Sequence, residues 1–285
     1  MLKKLFNIFA PPPSEVELLL KELDVPYEKK PDGSIVAQRS VDLSNLGLTE
    51  LPDFSRVTVK GSFRCNGNLL TSLKGAPKWV DDDFSCENNN LTSLKHCPQH
   101  IGYSLYCADN DLTTLEGAPR HLDGSLSCSN NQLTSLKGAP EYIGYSLLCV
   151  KNKLVSLEGA PRYVKESFWC FDNQITSLKG APQVGGDSFD CSRNQITSLK
   201  YAPSSVEDRF SCSGNPITDL YHAPMEFKRL HCDFGAFHSR DEIPAELRKT
   251  PSMHEGDRLG KILQIVGLGE NTFVRKPLRL RLKPA

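Results

Sequence analysis

The stretch FDCSRNQITSLKYAP, residues 189–203, recurs in close variants along the chain, as FSCENNNLTSLKHCP at 84–98 and LSCSNNQLTSLKGAP at 126–140. Eight cysteines follow one another at a constant interval of 21 residues, and a ninth comes 20 residues later. These are Cys65, Cys86, Cys107, Cys128, Cys149, Cys170, Cys191, Cys212 and Cys232. Repetition therefore sets the positions of the cysteines, and disulfide pairing does not.

Five further columns accompany the cysteine in each of the eight units. A bulky apolar residue stands two positions before it, as Phe63, Phe84, Leu105, Leu126, Leu147, Phe168, Phe189 and Phe210. An asparagine stands three positions after it, as Asn68, Asn89, Asn110, Asn131, Asn152, Asn173, Asn194 and Asn215. Leu or Ile follows five positions after the cysteine, Leu eight after, and Pro twelve after.

These columns predict a stack of short coils. A unit of 21 residues cannot bury its own apolar side, but stacked units share a continuous core. The alternation in Phe-x-Cys predicts a short strand whose alternate residues face inward. The asparagine amide is expected to pair with main-chain groups where the chain leaves the strand, because buried unpaired groups are costly. Proline predicts an extended, polyproline-like return on the far side.

This pattern resembles the leucine-rich repeat, with cysteine in one leucine column. The short return marked by proline is similar to the bacterial effector-type subclass and to repeats of bacteriophage proteins. The resemblance implies an α/β repeat solenoid: a horseshoe with parallel β-strands on the concave face, extended convex returns and a helical N-terminal cap. Effector relatives often carry a separate ubiquitin-ligase domain with a catalytic cysteine, but no cysteine follows Cys232. We therefore expect no enzyme.

Three segments are predicted. Residues 1–40 would form an N-terminal tail and helical cap, because Ser14 and Glu17 have the spacing of a capping box before an apolar helical face. Residues 41–232 would form the solenoid, with Leu43 in the cysteine column of an atypical first unit. Residues 233–285 would form a C-terminal cap and a basic tail, whose cations are Arg275, Lys276, Arg279, Arg281 and Lys283.

Composition narrows the classes of function. The formal net charge is zero, from 34 basic and 34 acidic residues, so no overall field favours nucleic acid or a membrane. No run of residues is apolar for long enough to span a bilayer, and MLKKLFNIFA at the start lacks the features of a signal peptide. We predict a cytoplasmic protein whose thiols are reduced and serve as small apolar core residues.

Two clusters are weak candidates for chemistry. His96, Cys97 and His100 have spacing that distantly suggests metal ligands, and His231 and His238 flank Cys232 as possible partners for thiol chemistry. Both cysteines also fit core columns, so we expect no metal and no cofactor. A thiol-based enzyme or redox protein stays an alternative, as does a nucleic-acid-binding protein that uses the basic tail.

Residues that alternate with the inward Phe and Cys are expected to face the concave side. Large side chains gather there in the third, fifth and sixth cysteine-bearing units, around a shallow trough at Ser127 and Ser129. The predicted partner-binding residues are Tyr103, Tyr106, Tyr145, Leu148, Val150, Trp169 and Phe171. Exposed aromatic residues are typical anchors of protein interfaces, so the expected partner is another protein. A second aromatic column follows the prolines, as Trp79, His100, His121, Tyr142 and Tyr163, and we interpret it as shielding of the returns.

Overall fold

The computed structural model of the chain describes residues 13–248. In this part of the chain, one strand from each coil joins a continuous sheet of eleven strands, which we call the front sheet. Its neighbours are parallel except for the final antiparallel pair. Its strands are β3 Val41–Asp42, β5 Phe63–Arg64, β7 Phe84–Ser85, β9 Leu105–Tyr106, β11 Leu126–Ser127, β13 Leu147–Leu148, β15 Ser167–Trp169, β16 Ser188–Asp190, β17 Arg209–Ser211, β18 Arg229–Cys232 and β19 Gly235–Phe237.

The returning half of each coil also pairs with its neighbours. The expected extended returns are present, and short strands within them form two return sheets. The first contains β1 Tyr27–Lys29, β2 Ile35–Ala37, β4 Val57–Val59, β6 Trp79–Val80 and β8 His100–Ile101. The second contains β10 His121–Leu122, β12 Tyr142–Ile143 and β14 Tyr163–Val164. Proline thus sets an extended backbone here without preventing main-chain pairing one or two residues later.

The core lies between the front sheet and the returns. Front strands pair in register, so that Phe63 lies beside Phe84, and Leu126 lies beside Leu105 and Leu147. The Phe or Leu column and the cysteine column point to the same inner face, and their members in the repeated coils are fully buried. All ten cysteines are buried free thiols. The predicted role of the cysteine column in core packing is therefore confirmed.

The asparagine column satisfies the backbone at the strand exits. The Oδ1 atom of Asn131 accepts a hydrogen bond from the Leu112 N–H of the preceding coil at 2.9 Å. Its Nδ2 group donates to the carbonyls of Cys107 and Cys128, each at 3.1 Å. The same pattern recurs at Asn89, Asn110, Asn152, Asn173 and Asn194. Each amide thus ties its own coil to the coil before it, as the sequence predicted.

The residue before each ladder asparagine has a left-handed backbone. Its φ is positive at Gly67, Asn88, Asp109, Asn130, Lys151, Asp172, Arg193 and Gly214. This conformation turns the chain out of the strand and directs the asparagine inward. Gly, Asn and Asp tolerate it at low cost, whereas Lys and Arg do so less readily. The sequence analysis did not assign this column, although the enrichment of Gly, Asn and Asp was visible in it.

The N-terminal end is covered by a helix and a hairpin. Helix α1 spans Glu15–Glu22, and the capping box predicted at Ser14 and Glu17 is present. The Glu17 carboxylate accepts hydrogen bonds from the Ser14 N–H and the Lys29 ammonium, each at 2.9 Å. These two donors lower the pKa of Glu17 to about 2. The β1–β2 hairpin was not predicted, and its strand β2 pairs in parallel with β4.

The C-terminal end is covered by the β18–β19 hairpin and a short 3-10 helix, Arg240–Glu242. Phe237, Ile243 and Leu247 close the core, and Leu247 accepts a hydrogen bond from the Leu220 N–H at 2.8 Å. The predicted basic tail lies outside the described residues, as do residues 1–12. The domain boundaries at residues 41 and 232 stay predictions. In residues 13–248, no helix combines the length and apolarity that a bilayer crossing requires.

Substitution of one ladder asparagine should destabilise the whole stack. We expect Asn131→Ala to lower the free energy of unfolding by about 2–4 kcal/mol, because it leaves the Leu112 N–H and neighbouring carbonyls unpaired in the interior. Urea denaturation monitored by circular dichroism measures the change. The adjacent Gln132→Ala is the control and should stay within about 0.5 kcal/mol of the wild type. Equal effects of the two substitutions would contradict the ladder's role.

Relief of the left-handed backbone at Lys151 should stabilise the protein. Lys151 has a φ of 53°, and the same column carries asparagine at positions 88 and 130. Lys151→Asn is expected to raise the free energy of unfolding by about 0.5–1 kcal/mol. Lys153→Asn, two residues further on and exposed, should have no such effect. A loss of stability in Lys151→Asn would refute this interpretation.

Candidate functional site

The candidate site is a row of side chains on the outer face of the front sheet. Tyr106, Ser127, Leu148 and Trp169 stand side by side in register on β9, β11, β13 and β15. Because successive residues of a strand point to opposite faces, their side chains project away from the core. Trp169 is 40% exposed, Tyr106 and Leu148 are half-buried, and Ser127 is buried between them. The trough predicted at Ser127 therefore has Tyr106 and Leu148 as its two walls.

Tyr103 and Tyr145 close one end of this trough. They belong to coils that are separated by one intervening coil, yet their ring centroids are only 5.5 Å apart in an edge-on arrangement. Gly124 occupies the corresponding position of the coil between them. A Cβ at Gly124 would lie 2.7 Å from the Tyr103 carbonyl carbon. The coil between the two tyrosines thus carries no side chain at this position, and the sequence analysis had not singled out this glycine.

Phe171 extends the surface beyond Trp169 along the same coil, toward the strand exit. Its ring centroid is 6.3 Å from that of Trp169, and the guanidinium of Arg193 lies 5.0 Å from the Phe171 centroid. Arg193 also donates to Asp172, with Nη2 to Oδ2 at 2.9 Å. This ion pair lowers the pKa of Asp172 and raises that of Arg193. Arg193 is thus held over the aromatic ring, which is a contact that repeat spacing did not predict.

Val150 does not belong to the exposed surface. It was predicted as a partner-binding residue on the concave face, but Val150 is only 8% exposed, so the expected exposure is wrong. Val150 lies between Ser129 and the larger Phe171 in the column that follows the cysteines. Since neighbouring coils are about 4.8 Å apart, the larger Phe171 can reach over a short branched side chain in this position. The candidate site, called the front patch below, consists of Tyr103, Tyr106, Tyr145, Leu148, Trp169 and Phe171.

Charged residues border the front patch. On its N-terminal side, burial and the nearby Asp109 carboxylate raise the pKa of Glu87. At its strand-entrance edge, the Lys165 ammonium lies 5.7 Å from the Tyr145 ring centroid. On its C-terminal side, a depression of about 490 Å³ is lined by Phe171, Asp190, Ser192, Arg193, Ser213 and Gly214. An apolar centre with a charged rim is the arrangement typical of protein-binding surfaces.

A ladder of serine hydroxyls holds the entrances of the front strands in place. The Oγ atoms of Ser104, Ser125 and Ser146 each accept a hydrogen bond from the backbone N–H one coil later, at 3.0–3.3 Å. The sequence analysis missed this role, although serine recurs three positions before the cysteine at Ser62, Ser104, Ser125, Ser146, Ser167 and Ser188. This second polar ladder fixes the backbone next to Tyr103 and Tyr145.

The two clusters that had suggested chemistry are not assembled as sites. His96 is exposed where most coils have glycine, Cys97 is buried, and His100 stacks on Trp79 at 3.7 Å. His231 and Cys232 are consecutive on β18 and therefore face opposite sides of the sheet, while His238 is exposed. Among residues 13–248, no three His, Cys, Asp or Glu side chains are grouped so that they could hold a metal ion.

The aromatic column on the returns forms stacks of rings. Tyr142 lies between His121 and Tyr163, with ring centroids at 4.5 and 5.1 Å. Trp79 and His100 form a separate pair, matching the division between the two return sheets. Asp81 accepts from Trp79 Nε1 at 2.6 Å, and Asp123 contacts His121 Nε2 at 2.8 Å. These rings stack on one another, and their shielding of the returns stays an interpretation.

The contact between Tyr103 and Tyr145 should be visible in a titration. A hydrogen bond to Tyr145 raises the pKa of Tyr103 to about 12. Since the folded pKa exceeds the unfolded value of about 10, this contribution to stability is complete below pH ~10 and is lost as pH rises toward ~12. We expect Tyr145→Phe to lower the pKa of Tyr103 toward its ordinary value, measured by NMR of tyrosines labelled at the ζ carbon. Tyr142→Phe, on the return side, should leave it unchanged. An unshifted Tyr103 in Tyr145→Phe would refute the contact.

The chain can be compared with known proteins at the level of sequence and of structure. No protein-family model and no curated protein matches the chain. Among solved structures it is similar to YopM, a leucine-rich effector protein from Yersinia pestis, with 20% identity over 68% of each chain and a TM-score of 0.43. It is also similar to the functional domain of InlJ from Listeria monocytogenes, which includes a cysteine ladder. That match has 19% identity, covers 68% of this chain and 53% of the other, and has a TM-score of 0.35.

The fold assignment rests on the geometry of the chain itself. Every repeated coil combines a parallel strand in register, inward leucine and cysteine residues, and a ladder asparagine at the strand exit. These are the elements that the resemblance to the leucine-rich repeat implied. The chain folds as a leucine-rich-repeat solenoid, with cysteine in one of its core columns.

Proposed function

We propose that the chain is a non-enzymatic interaction module that binds a partner protein through the front patch. Tyr106, Leu148 and Trp169 form the centre of the contact surface, Tyr103 and Tyr145 close one end, and Phe171 closes the other. The charged rim, with Lys165, Glu87 and Arg193, orients the partner. Val150 contributes to the support beneath this surface and makes no contact of its own.

One observation carries the proposal: large aromatic side chains stand exposed together on a regular sheet. Tyr103, Tyr145 and Trp169 are 42%, 38% and 40% exposed. The other coils carry Gly or acidic residues in the column of Tyr103 and Tyr145. Exposed aromatic clusters are unfavourable in water and are enriched at the centres of protein interfaces. The isolated exposed leucines of the chain, such as Leu46 and Leu69, have no such aromatic neighbours in their columns.

The front patch is well suited to tight contact because it is preorganised. Its strands are hydrogen-bonded on both sides, and Tyr103 and Tyr145 restrict each other. A surface that is already ordered loses little conformational entropy when it binds. The patch spans four neighbouring strands, or about 15 Å from the first strand to the last. It therefore supplies the anchoring centre of an interface, and the surrounding coils supply the rim.

We further propose that the chain is a bacterial or phage protein that acts in the cytoplasm by occupying a host protein's surface. The resemblance to effector-type repeats supports this origin. Reduced thiols in a buried column fit a cytosolic setting. The identity of the partner is open, and affinity capture would name it.

The test compares two pairs of exposed aromatic residues. The variant Tyr106→Ala/Trp169→Ala removes the centre of the front patch, and Trp79→Ala/Tyr163→Ala removes aromatic residues of similar exposure from the returns. Each protein is used for affinity capture from a lysate of cells in which the chain acts, and captured proteins are quantified by mass spectrometry. A partner retained by wild type and by the return variant should be lost by the front variant.

The affinity change should then be measured with the captured partner. Truncation of an anchor residue typically costs about 2 kcal/mol or more, so the front double variant should bind at least ~100-fold more weakly. Circular dichroism must show that both variants keep the wild-type fold. Loss of the partner in the return variant, together with full binding by the front variant, would move the binding surface to the opposite side of the solenoid.

A further inference from the structure

The cysteine column has one end that differs from its interior. Within the column, the thiols of Cys149, Cys170 and Cys191 donate to carbonyl oxygens of the next coil, at Sγ to O distances of 3.3–3.4 Å. Cys212 is followed by Cys232, which is the last rung of the column. Cys232 donates to the Gly235 carbonyl of the closing hairpin at 3.4 Å. The last two thiols of the column therefore lie on neighbouring rungs at the end of the stack.

Cys232 is the thiol that solvent can reach. It is 8% exposed, whereas the other eight cysteines of the column are fully buried. On the side away from Cys212 it faces Gly235 of β19, which has no side chain to cover the sulfur. At the other end of the column, Leu43 takes the cysteine position and is itself buried beneath the N-terminal cap. Access to the column thus exists at its C-terminal end.

The pKa values of the thiols also differ between the C-terminal end of the column and its interior. Burial raises the pKa of Cys65 and Cys128 to about 12 and also raises those of Cys86, Cys107, Cys149, Cys170 and Cys191. The pKa of Cys232 is lowered, first by the hydrogen bond with the Cys212 thiol and then by backbone hydrogen bonds at Phe234 and Gly235. Thiolate, the reactive form of cysteine, therefore forms more readily at Cys232.

We propose that Cys232 and Cys212 are an oxidation-sensitive pair that peroxide converts to a disulfide. The Cys232 thiolate attacks one oxygen of hydrogen peroxide and releases hydroxide, which gives a sulfenic acid at Cys232. The Cys212 sulfur then attacks the Cys232 sulfur, and the sulfenic oxygen leaves as water. In total, two thiols and one peroxide give one disulfide and two waters, so the two electrons lost by sulfur reduce the peroxide. A small oxidant suits the narrow opening beside Gly235.

The register of the strands permits this bond. Cys212 and Cys232 follow the in-register pair Ser211 and His231 on β17 and β18. Neighbouring strands are about 4.8 Å apart, and disulfides join residues whose Cα atoms are about 4.4–6.8 Å apart. The same spacing holds along the whole column, so distance alone selects no pair. Access and thiolate formation select the last one.

The first test needs no substitution. Native protein is treated briefly with iodoacetamide, and alkylation at each of the ten cysteines is quantified by mass spectrometry. Cys232 should react at least ~10-fold faster than any other cysteine of the column, because thiolate content and exposure control the rate. Equal rates along the column would overturn the proposal, and so would faster reaction at an interior cysteine.

The second test identifies the bond. After exposure to hydrogen peroxide, digested wild-type protein should contain a peptide linked between Cys212 and Cys232, and dithiothreitol should remove it. In Cys212→Ala, dimedone should instead trap a sulfenic acid at Cys232. Cys170→Ala, in the interior of the column, is the matched control and should still form the linked peptide. A linkage between other cysteines, or no sulfenic acid at Cys232 in Cys212→Ala, would refute the assignment.

Discussion

The stack depends on satisfying the backbone where each strand ends. At that point the chain turns sharply through a residue with positive φ, and its N–H and carbonyl groups point into a space closed to water. A side-chain amide can donate and accept at once, and the asparagine there does both for two consecutive coils. Without that amide, several buried polar groups per coil would remain unpaired, at a cost of about 1–3 kcal/mol each. The asparagine ladder thus links coils that are otherwise joined by short strands.

The outward face of the front sheet is free to vary in sequence. Inward positions of the front strands are fixed by packing, and the strand exits and entrances are fixed by the asparagine and serine ladders. The outward positions of the front sheet contribute neither to the core nor to these ladders, so the residue type there differs from coil to coil. The aromatic residues of the front patch stand at these positions. The returns also carry aromatic residues, but there the rings stack on one another.

The cysteine column shows how one residue type can have two roles along a repeat. In the interior, the thiol is a small apolar group that fits beside Phe or Leu, and its burial keeps it protonated. At the C-terminal end the repeat stops, a glycine replaces the next rung, and the same residue type gains access to solvent. The difference arises from the termination of the stack and not from the local sequence around the cysteine.

The repeat alone was sufficient for the architecture. Five columns accompany the cysteine at a constant interval and predict stacked coils with an inward cysteine and an asparagine at the turn. Each column fits only one environment, either the apolar core or the polar strand exit. The column of residues with positive φ could also have been predicted, since Gly, Asn and Asp recur in it. It was missed because Lys151 and Arg193 interrupt that pattern. The β1–β2 hairpin could not be predicted, because it lies outside the repeat and pairs through its backbone.

Contacts between different coils required the folded structure. Tyr103 and Tyr145 meet although one coil separates them in the sequence. Arg193 lies over Phe171 and is also held by its ion pair with Asp172. The burial of Val150 depends on the sizes of its neighbours on adjacent strands. A periodic pattern states which face a residue occupies, but exposure depends on how far neighbouring side chains reach across a spacing of about 4.8 Å. That is a property of three-dimensional packing, which column assignments do not contain.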